Sequence, residues 1–175
     1  MDHPRFFYDL RSPVAWLAAE RVVALLGEVP EFVPVELAAL AAGDTDADLT
    51  VIARQAAAHD LLPLRAPAVF PPGDTRFAML AATYAKQIGK VVAYSLAAFR
   101  QTFAAGRDLA DRETVFLAGA AAEIHPAALV KGAALRGTAE RLRVANAEAA
   151  ALGVLDVPAV VARDGAIDYL VEAPA

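Results

Sequence analysis

Residues 7–18, FYDLRSPVAWLA, carry the strongest structural signal in the chain. They join an aromatic segment, Arg5 to Leu10, to an apolar segment that continues to Gly27. Ser12 and Pro13 stand at the junction, and serine favours the N-cap of a helix while proline favours its first turn. This pattern predicts a buried β-strand, a sharp turn and a buried helix that begins at Pro13.

Two further segments predict the rest of a sheet. Glu31 to Leu37 has the composition of a second strand, and Pro34 within it indicates a sheet edge or an irregularity. A strand, a helix and a second strand in this order form a right-handed βαβ unit by default. Near the C-terminus, Pro158 to Val161 and Ala166 to Leu170 flank Asp164-Gly165, which is a typical hairpin turn.

Between these strands, residues 48–152 show helical periodicity and little strand signal. One predicted helix face combines Phe77, Leu80, Ala81, Tyr84 and Ile88. A proline-rich segment, Leu62 to Gly73, is expected to form a loop over the functional site. The sequence predicts one α/β domain over residues 1–175, with a sheet part at 1–47 and 153–175 and an all-helical insertion at 48–152.

Composition excludes several classes of function. The 175 residues contain no cysteine, so the chain cannot exchange disulfides with its own thiols or bind a metal through thiolates. A net charge of −5 argues against non-specific nucleic-acid binding, which needs a basic surface. His3, His59 and His125 lack the neighbours that a metal site requires, and we expect no bound metal.

The chain has no apolar run of the roughly 20 residues that a membrane-spanning helix needs. Its N-terminal residues, MDHPR, lack the basic, apolar and cleavage regions of a signal peptide. We therefore expect a cytoplasmic protein.

The turn at Ser12 is the candidate site. Backbone N–H groups and the positive end of a helix would stabilise an anion beside its hydroxyl, and a thiolate borrowed from glutathione is one candidate. The alternative interpretation is that Ser12 is only a helix cap. Asp9 is expected to make structural hydrogen bonds if it is buried, and Trp16 is expected to lie in the core.

Residues 7–18 resemble the N-terminal signature of the 2-hydroxychromene-2-carboxylate isomerases and kappa-class glutathione transferases, within the DsbA-like thioredoxin superfamily. Further segments resemble the family in the same order: Phe103 to Asp111, Asn146 to Ala149 and Gly153 to Pro158. The resemblance implies a thioredoxin-like fold with an inserted helical subdomain, in which a serine stands where redox relatives carry a cysteine.

The resemblance also implies a glutathione-assisted isomerisation. Ser12 would donate a hydrogen bond to the glutathione thiolate, and Arg11 would add a positive charge. The thiolate would add reversibly to a conjugated, ring-opened product of aromatic degradation. Addition turns a double bond into a rotatable single bond, and elimination restores the alkene in the other geometry.

The same resemblance assigns the remaining contacts with glutathione. Pro158 would be the family's cis proline, leaving the backbone N–H and C=O of Val157 free to pair with glutathione as an added strand. The acidic residue that meets the γ-glutamyl ammonium would be Glu172 or Asp168. The family resemblance further implies a homodimer.

Two functional hypotheses of different classes follow. The first is a glutathione-dependent isomerase or transferase that acts on a small, apolar electrophile. The second is a degenerate thioredoxin-like binding or scaffold protein without glutathione activity, suggested by a C-terminal segment that departs from the family pattern. On the enzyme hypothesis, Ser12→Ala should reduce turnover and leave the melting temperature nearly unchanged.

Overall fold

The computed structural model describes residues 3–41 and 47–170. Its centre is a four-stranded mixed sheet in the order β2-β1-β3-β4. The strands are β1 (Arg5–Tyr8), β2 (Glu31–Pro34), β3 (Ala159–Val161) and β4 (Ile167–Asp168). β1 pairs in parallel with β2, and β3 is antiparallel to both β1 and β4. The predicted hairpin at Asp164-Gly165 is therefore confirmed.

Both N-terminal strands end before the predicted limits. β1 stops at Tyr8 and β2 stops at Pro34. The last hydrogen bond between them is donated by the Val35 N–H to the Tyr8 carbonyl at 2.9 Å. Beyond this point Leu37 begins a 3₁₀ turn, so the backbones that leave the two strands diverge. Pro34 indicated either a sheet edge or an irregularity, and β2 is an edge strand of the described sheet. Pro34 lacks the N–H that a further strand would need.

Most of the remaining described residues lie in helices. Helix α1 (Pro13–Leu26) connects β1 to β2. In the described part between β2 and β3 lie α2 (Leu49–Ala58), α3 (Arg76–Gln87), α4 (Val91–Phe99), α5 (Arg112–Ala121), α6 (Pro126–Ala134) and α7 (Arg136–Ala151). The end of α4 passes into a π-helical turn, Arg100–Ala104. The predicted α/β fold with a helical insertion is confirmed.

The alternation of side chains along β1 divides the core into two parts. Phe6 and Tyr8 belong to the larger cluster, which includes α1 and most of the insertion. Phe7 points to the opposite face and packs in a smaller cluster with Ala149 near the end of α7. The sheet is thus covered on both faces, as expected for an α/β domain.

Trp16 joins α1 to the insertion, which confirms its predicted place in the core. It is fully buried, and its ring stacks on Phe103 of the π-helical turn with centroids 5.7 Å apart. The expectation that α1 is covered all round is wrong at its C-terminal turn. Val23 is 40% exposed and Leu25 is 52% exposed there.

Helix α3 corrects the predicted apolar face. Ile88 lies just beyond the helix and is 42% exposed, while Phe77, Leu80 and Tyr84 are only partly buried. Ala81 of the predicted face is fully buried, as expected, and the other fully covered positions include three further alanines, Ala78, Ala82 and Ala85. α3 packs against β2, α4, α5, α6 and α7, and small side chains allow these close approaches.

The proline-rich segment, Leu62 to Gly73, lies against the π-helical turn of the insertion. The Arg65 N–H donates to the Phe103 carbonyl at 2.7 Å, and the Phe70 ring meets the Phe103 ring edge-on at 6.4 Å. It therefore covers the π-helical turn on which Trp16 stacks. Whether it also covers bound substrate stays a prediction.

Candidate functional site

The sheet brings two predicted elements of the site to the same end. Phe7 pairs with Ala159 across the antiparallel β1–β3 ladder, so the chain leaving β1 and the chain entering β3 meet there. Ser12 follows β1, and Val157-Pro158 precedes β3. Because β2 is parallel to β1, the residues after Pro34 emerge at this end as well.

Ser12 is the N-cap of α1 and is 6% exposed. Its Oγ accepts the Ala15 N–H at 3.1 Å, and its own backbone N–H donates to the Asp9 carbonyl at 3.1 Å. Among residues 3–41 and 47–170, nothing accepts its hydroxyl proton. No acidic side chain occupies the first turn of α1. The Ser12 O–H is thus an unused donor at a positive helix end.

The capping bond revises one expectation. Removal of an N-cap hydroxyl costs about 1 kcal/mol of stability. Ser12→Ala should therefore lower the melting temperature by a few degrees even if Ser12 also serves a ligand. A glycine at this position loses only a few tenths of a kcal/mol, which makes Ser12→Gly the better probe of the hydroxyl.

Asp9 lies beneath the Ser12 turn and is 2% exposed. Its Oδ1 accepts the Arg11 N–H at 3.0 Å and its Oδ2 accepts the Leu37 N–H at 2.7 Å. These bonds confirm the predicted structural role. Burial is the largest influence on the carboxyl and raises its pKa from 3.8 to about 6, although both N–H groups and the Arg11 charge act in the opposite direction.

The Val157-Pro158 peptide is cis, in agreement with the expectation for Pro158. The expectation that the Val157 N–H is free is wrong, because it donates to Oδ1 of Asp156 at 2.7 Å. Burial also raises the pKa of Asp156, while this hydrogen bond lowers it. A peptide-like ligand could pair with the Val157 N–H only in place of Asp156.

The remaining residues predicted to contact glutathione are Arg11, Asp168 and Glu172. Arg11 is half-buried, and its charge stabilises the Asp9 carboxylate. Asp168 lies in β4, where its carboxylate accepts the Leu170 N–H at 2.9 Å. Glu172 lies outside the described residues.

A polar cavity of about 490 Å³ adjoins the end of β2 and was not predicted. Glu36 accepts Arg76 at 2.8 Å through one carboxylate oxygen and the Asn146 side-chain amide at 2.9 Å through the other. The Asn146 Oδ1 in turn accepts the Glu36 N–H at 2.9 Å. Asn146 belongs to a family-like segment, but its partner stands 110 residues away and only the fold reveals it.

A separate apolar cleft of about 260 Å³ lies between α1 and α2. Val14, Leu17, Val51 and Ile52 line it, and Val14 is two residues beyond Ser12. The described residues contain no group of three side chains able to hold a metal ion. None of the described helices is long and apolar enough to cross a membrane.

No curated protein matches the sequence. The structure of a 2-hydroxychromene-2-carboxylate isomerase is similar, with a TM-score of 0.80 and 19% identity over 95% of this chain and 87% of that chain. A probable DsbA oxidoreductase from Streptomyces coelicolor has a TM-score of 0.74 and 21% identity over 94% of this chain and 82% of that chain.

A third similar structure is the cytosolic disulfide reductase DsbM from Pseudomonas aeruginosa with GSH. It has a TM-score of 0.61 and 17% identity over 96% of this chain and 89% of that chain. At these low sequence identities, the structural similarity establishes a shared fold and nothing further. The model of the DsbA-like thioredoxin domain, however, matches the sequence itself over residues 5–172. Because this match spans almost the whole chain and the fold agrees with it, the protein belongs to the DsbA-like thioredoxin domain family.

Proposed function

We propose that this protein is a glutathione-dependent isomerase or transferase for a small electrophile derived from an aromatic compound. The observation that carries the proposal is the Ser12 hydroxyl, whose oxygen caps α1 while its proton has no acceptor among the described residues. A chain without cysteine cannot run the disulfide chemistry of its DsbA-type neighbours on its own thiols. A hydroxyl donor at a helix N-terminus suits a borrowed thiolate instead.

In this mechanism Ser12 is a donor and not a nucleophile. The Ser12 O–H and the N-terminus of α1 would stabilise the thiolate of bound glutathione after its thiol proton passes to solvent. Bound glutathione would supply a sulfur nucleophile that adds reversibly to a conjugated alkene and leaves again after rotation about the resulting single bond. In a transferase the carbon skeleton would take up a proton instead, and the C–S bond would remain.

The surroundings of Ser12 supply the other contacts of the proposal. The backbone of Val157 would pair with the cysteinyl part of glutathione once Asp156 releases its N–H. Arg11 would add positive charge, and Glu172 would meet the γ-glutamyl ammonium. The apolar cleft beyond Val14 offers surface to an apolar substrate. The DsbM structure with GSH is precedent for this tripeptide on the same fold, in that protein.

The test is calorimetric binding of glutathione, combined with the ultraviolet absorbance of its thiolate as pH is varied. We expect wild type to bind glutathione and to lower its thiol pKa. Ser12→Gly should raise that bound pKa by about 1 to 2 units, because a charge-assisted hydrogen bond contributes roughly 1.5 to 3 kcal/mol. Asp111→Gly, which removes the N-cap of α5, is the matched control and should leave it unchanged.

The second candidate is a thioredoxin-like binding or scaffold protein without glutathione activity. Two observations favour it: the Val157 N–H is already taken by Asp156, and the Ser12 side chain is almost buried. A wild-type protein that binds no glutathione in the calorimeter would establish this candidate over the enzyme. We also propose a cytoplasmic homodimer, which light scattering on purified protein and fractionation of cells would test.

A further inference from the structure

We propose that Asp9 is a positioning residue for the Ser12 site. Its carboxylate ties the turn that carries Ser12 to the end of β2, and it loosens that tie when it takes up a proton. The assignment to a glutathione site rests on the proposed function, whereas the tie itself can be tested without any ligand.

The geometry places Asp9 at the junction of three segments. Its backbone carbonyl accepts the Ser12 N–H, and its Oδ1 accepts the Arg11 N–H, so one residue fixes both amides immediately before α1. Its Oδ2 accepts the Leu37 N–H at 2.7 Å, across 28 residues of sequence. Both carboxylate oxygens are therefore engaged by backbone donors on two different segments.

These bonds are strongest to the ionised carboxylate. A carboxylate only accepts hydrogen bonds, whereas a neutral carboxyl group carries a proton on one oxygen, which leaves that oxygen with less acceptor capacity. The neutral group also loses the charge that strengthens both N–H contacts. Protonation of Asp9 therefore weakens its bonds to the turn and to Leu37, most of all at the oxygen that takes up the proton.

The charged groups around Asp9 act in both directions. Arg11, in the same turn, favours the ionised form, while Glu36, next to Leu37 at the end of β2, opposes it. Glu36 is itself paired with Arg76 of α3. The Tyr8 phenol is buried beside Asp9, and burial raises its pKa, so it remains neutral. Burial places the transition of Asp9 at about pH 6, within the range that a cell can reach.

Nuclear magnetic resonance of the wild-type protein tests the tie directly. The ¹³C shift of the Asp9 carboxyl should titrate with a midpoint near the pKa of about 6, and the Arg11 and Leu37 amide shifts should follow the same midpoint. A midpoint at the ordinary aspartate value of about 4 would overturn the proposal. So would amide shifts at Arg11 and Leu37 that do not change with the carboxyl.

A matched pair of variants tests the positioning. In Asp9→Asn, hydrogen exchange at the Leu37 or Arg11 amide should become about 10-fold faster or more at neutral pH, because one buried donor loses its acceptor. Asp111→Asn makes the same chemical change at an exposed cap and should alter only its own partner, the Glu113 amide. Unchanged exchange at both amides in Asp9→Asn would contradict the tie.

Binding of S-methylglutathione tests the link to function, because this probe has no thiol to ionise. Wild type should bind it several-fold more weakly below about pH 6 than at pH 7.5, and Asp9→Asn should show weak binding without this step. Equal pH profiles for the two proteins would overturn the link. A wild type that binds no S-methylglutathione at any pH overturns the glutathione assignment, whereas the titration still decides whether Asp9 holds the turn.

Discussion

The site end of the sheet and the helical insertion satisfy their buried polar groups in different ways. At the site end, the carboxylates of buried Asp9 and half-buried Asp156 accept backbone N–H groups of irregular segments. In the insertion, the buried hydroxyls of Thr83 and Thr102 donate to the carbonyl four residues earlier in their own helices, at 2.9 Å and 3.0 Å. The first region depends on carboxylates, and the second depends on neutral groups.

This difference separates a chemical region from a packed scaffold. A buried carboxylate costs free energy that a buried hydroxyl with a partner does not. It also titrates, so the sheet end responds to pH in a range where hydroxyl groups do not ionise. We therefore expect acid to act first on the Ser12 turn and to leave the buried helix packing of the insertion intact.

The largest expected effect on stability concerns Trp16, which packs α1 of the sheet part against the insertion. Trp16→Ala should destabilise the protein by about 3 to 5 kcal/mol, because the fully buried ring fills the interface between α1 and Phe103. Chemical denaturation measures the loss. Leu25→Ala, which shortens a side chain that is 52% exposed in the same helix, is the control and should cost far less. Equal losses would mean that Trp16 does not join the regions.

A second prediction concerns pH and stability. The folded protein binds the Asp9 proton more tightly than the unfolded chain, since the pKa rises from 3.8 to about 6. The stability that Asp9 contributes is therefore present below about pH 4 and is lost as pH rises through 6. Asn does not titrate. As pH rises from about 4 to above 6, the free energy of unfolding of Asp9→Asn should therefore increase by up to about 3 kcal/mol relative to that of wild type.

Thermal denaturation of both proteins across this pH range measures the relative gain. Asp111→Asn, at an exposed cap in the insertion, should show no comparable gain. A stability difference between Asp9→Asn and wild type that does not change with pH would mean that burial does not control Asp9.

A third prediction tests the packing of the insertion. A Cβ at Gly132 of α6 would lie 2.3 Å from the Tyr84 ring of α3, so the helices would have to separate. Gly132→Ala should cost about 1 to 3 kcal/mol while glutathione binding, if present, persists in the folded protein. Gly137→Ala, where the new Cβ meets only the end of the Arg141 side chain, is the control. A neutral Gly132→Ala would show that this contact adjusts freely.

The smallest expected effect is on the affinity for glutathione and concerns Asp156, the residue beside Val157. Asp156→Ala removes the acceptor that holds the Val157 N–H, so glutathione should bind about 2- to 10-fold more tightly, which is the range expected for one net hydrogen bond. Asp164→Ala, which removes a similar backbone contact in the hairpin, should leave the affinity unchanged. Calorimetry distinguishes these outcomes. Weaker binding in Asp156→Ala would instead make Asp156 part of the glutathione contact.

Much of the fold could be predicted because its signals are local. Ser12-Pro13 and Asp164-Gly165 define a helix start and a hairpin through the conformations that these residues prefer. The buried face of α3 could not be predicted in this way. Its alanines are buried because five elements pack against the helix, whereas apolar periodicity alone favoured the larger side chains on a neighbouring face that shares only Ala81 with the buried one.

The site was predictable only in part, for the same reason. The sequence singled out Ser12 as a site residue or a cap and Pro158 as the family's cis proline, but it carried no sign that Asp156 accepts the Val157 N–H. An aspartate in an irregular segment has several backbone donors within reach, and the path of the chain selects among them.

The sequence by itself determined the element types and the absence of any redox thiol from these 175 residues, because these follow from residue conformation and composition. Only the tertiary structure decided that Asp9 reaches Leu37 across 28 residues and that Glu36 pairs with Asn146 across 110. Such contacts depend on how whole elements pack. Burial of Asp9 between those elements, and not its residue type, moves its pKa towards neutrality.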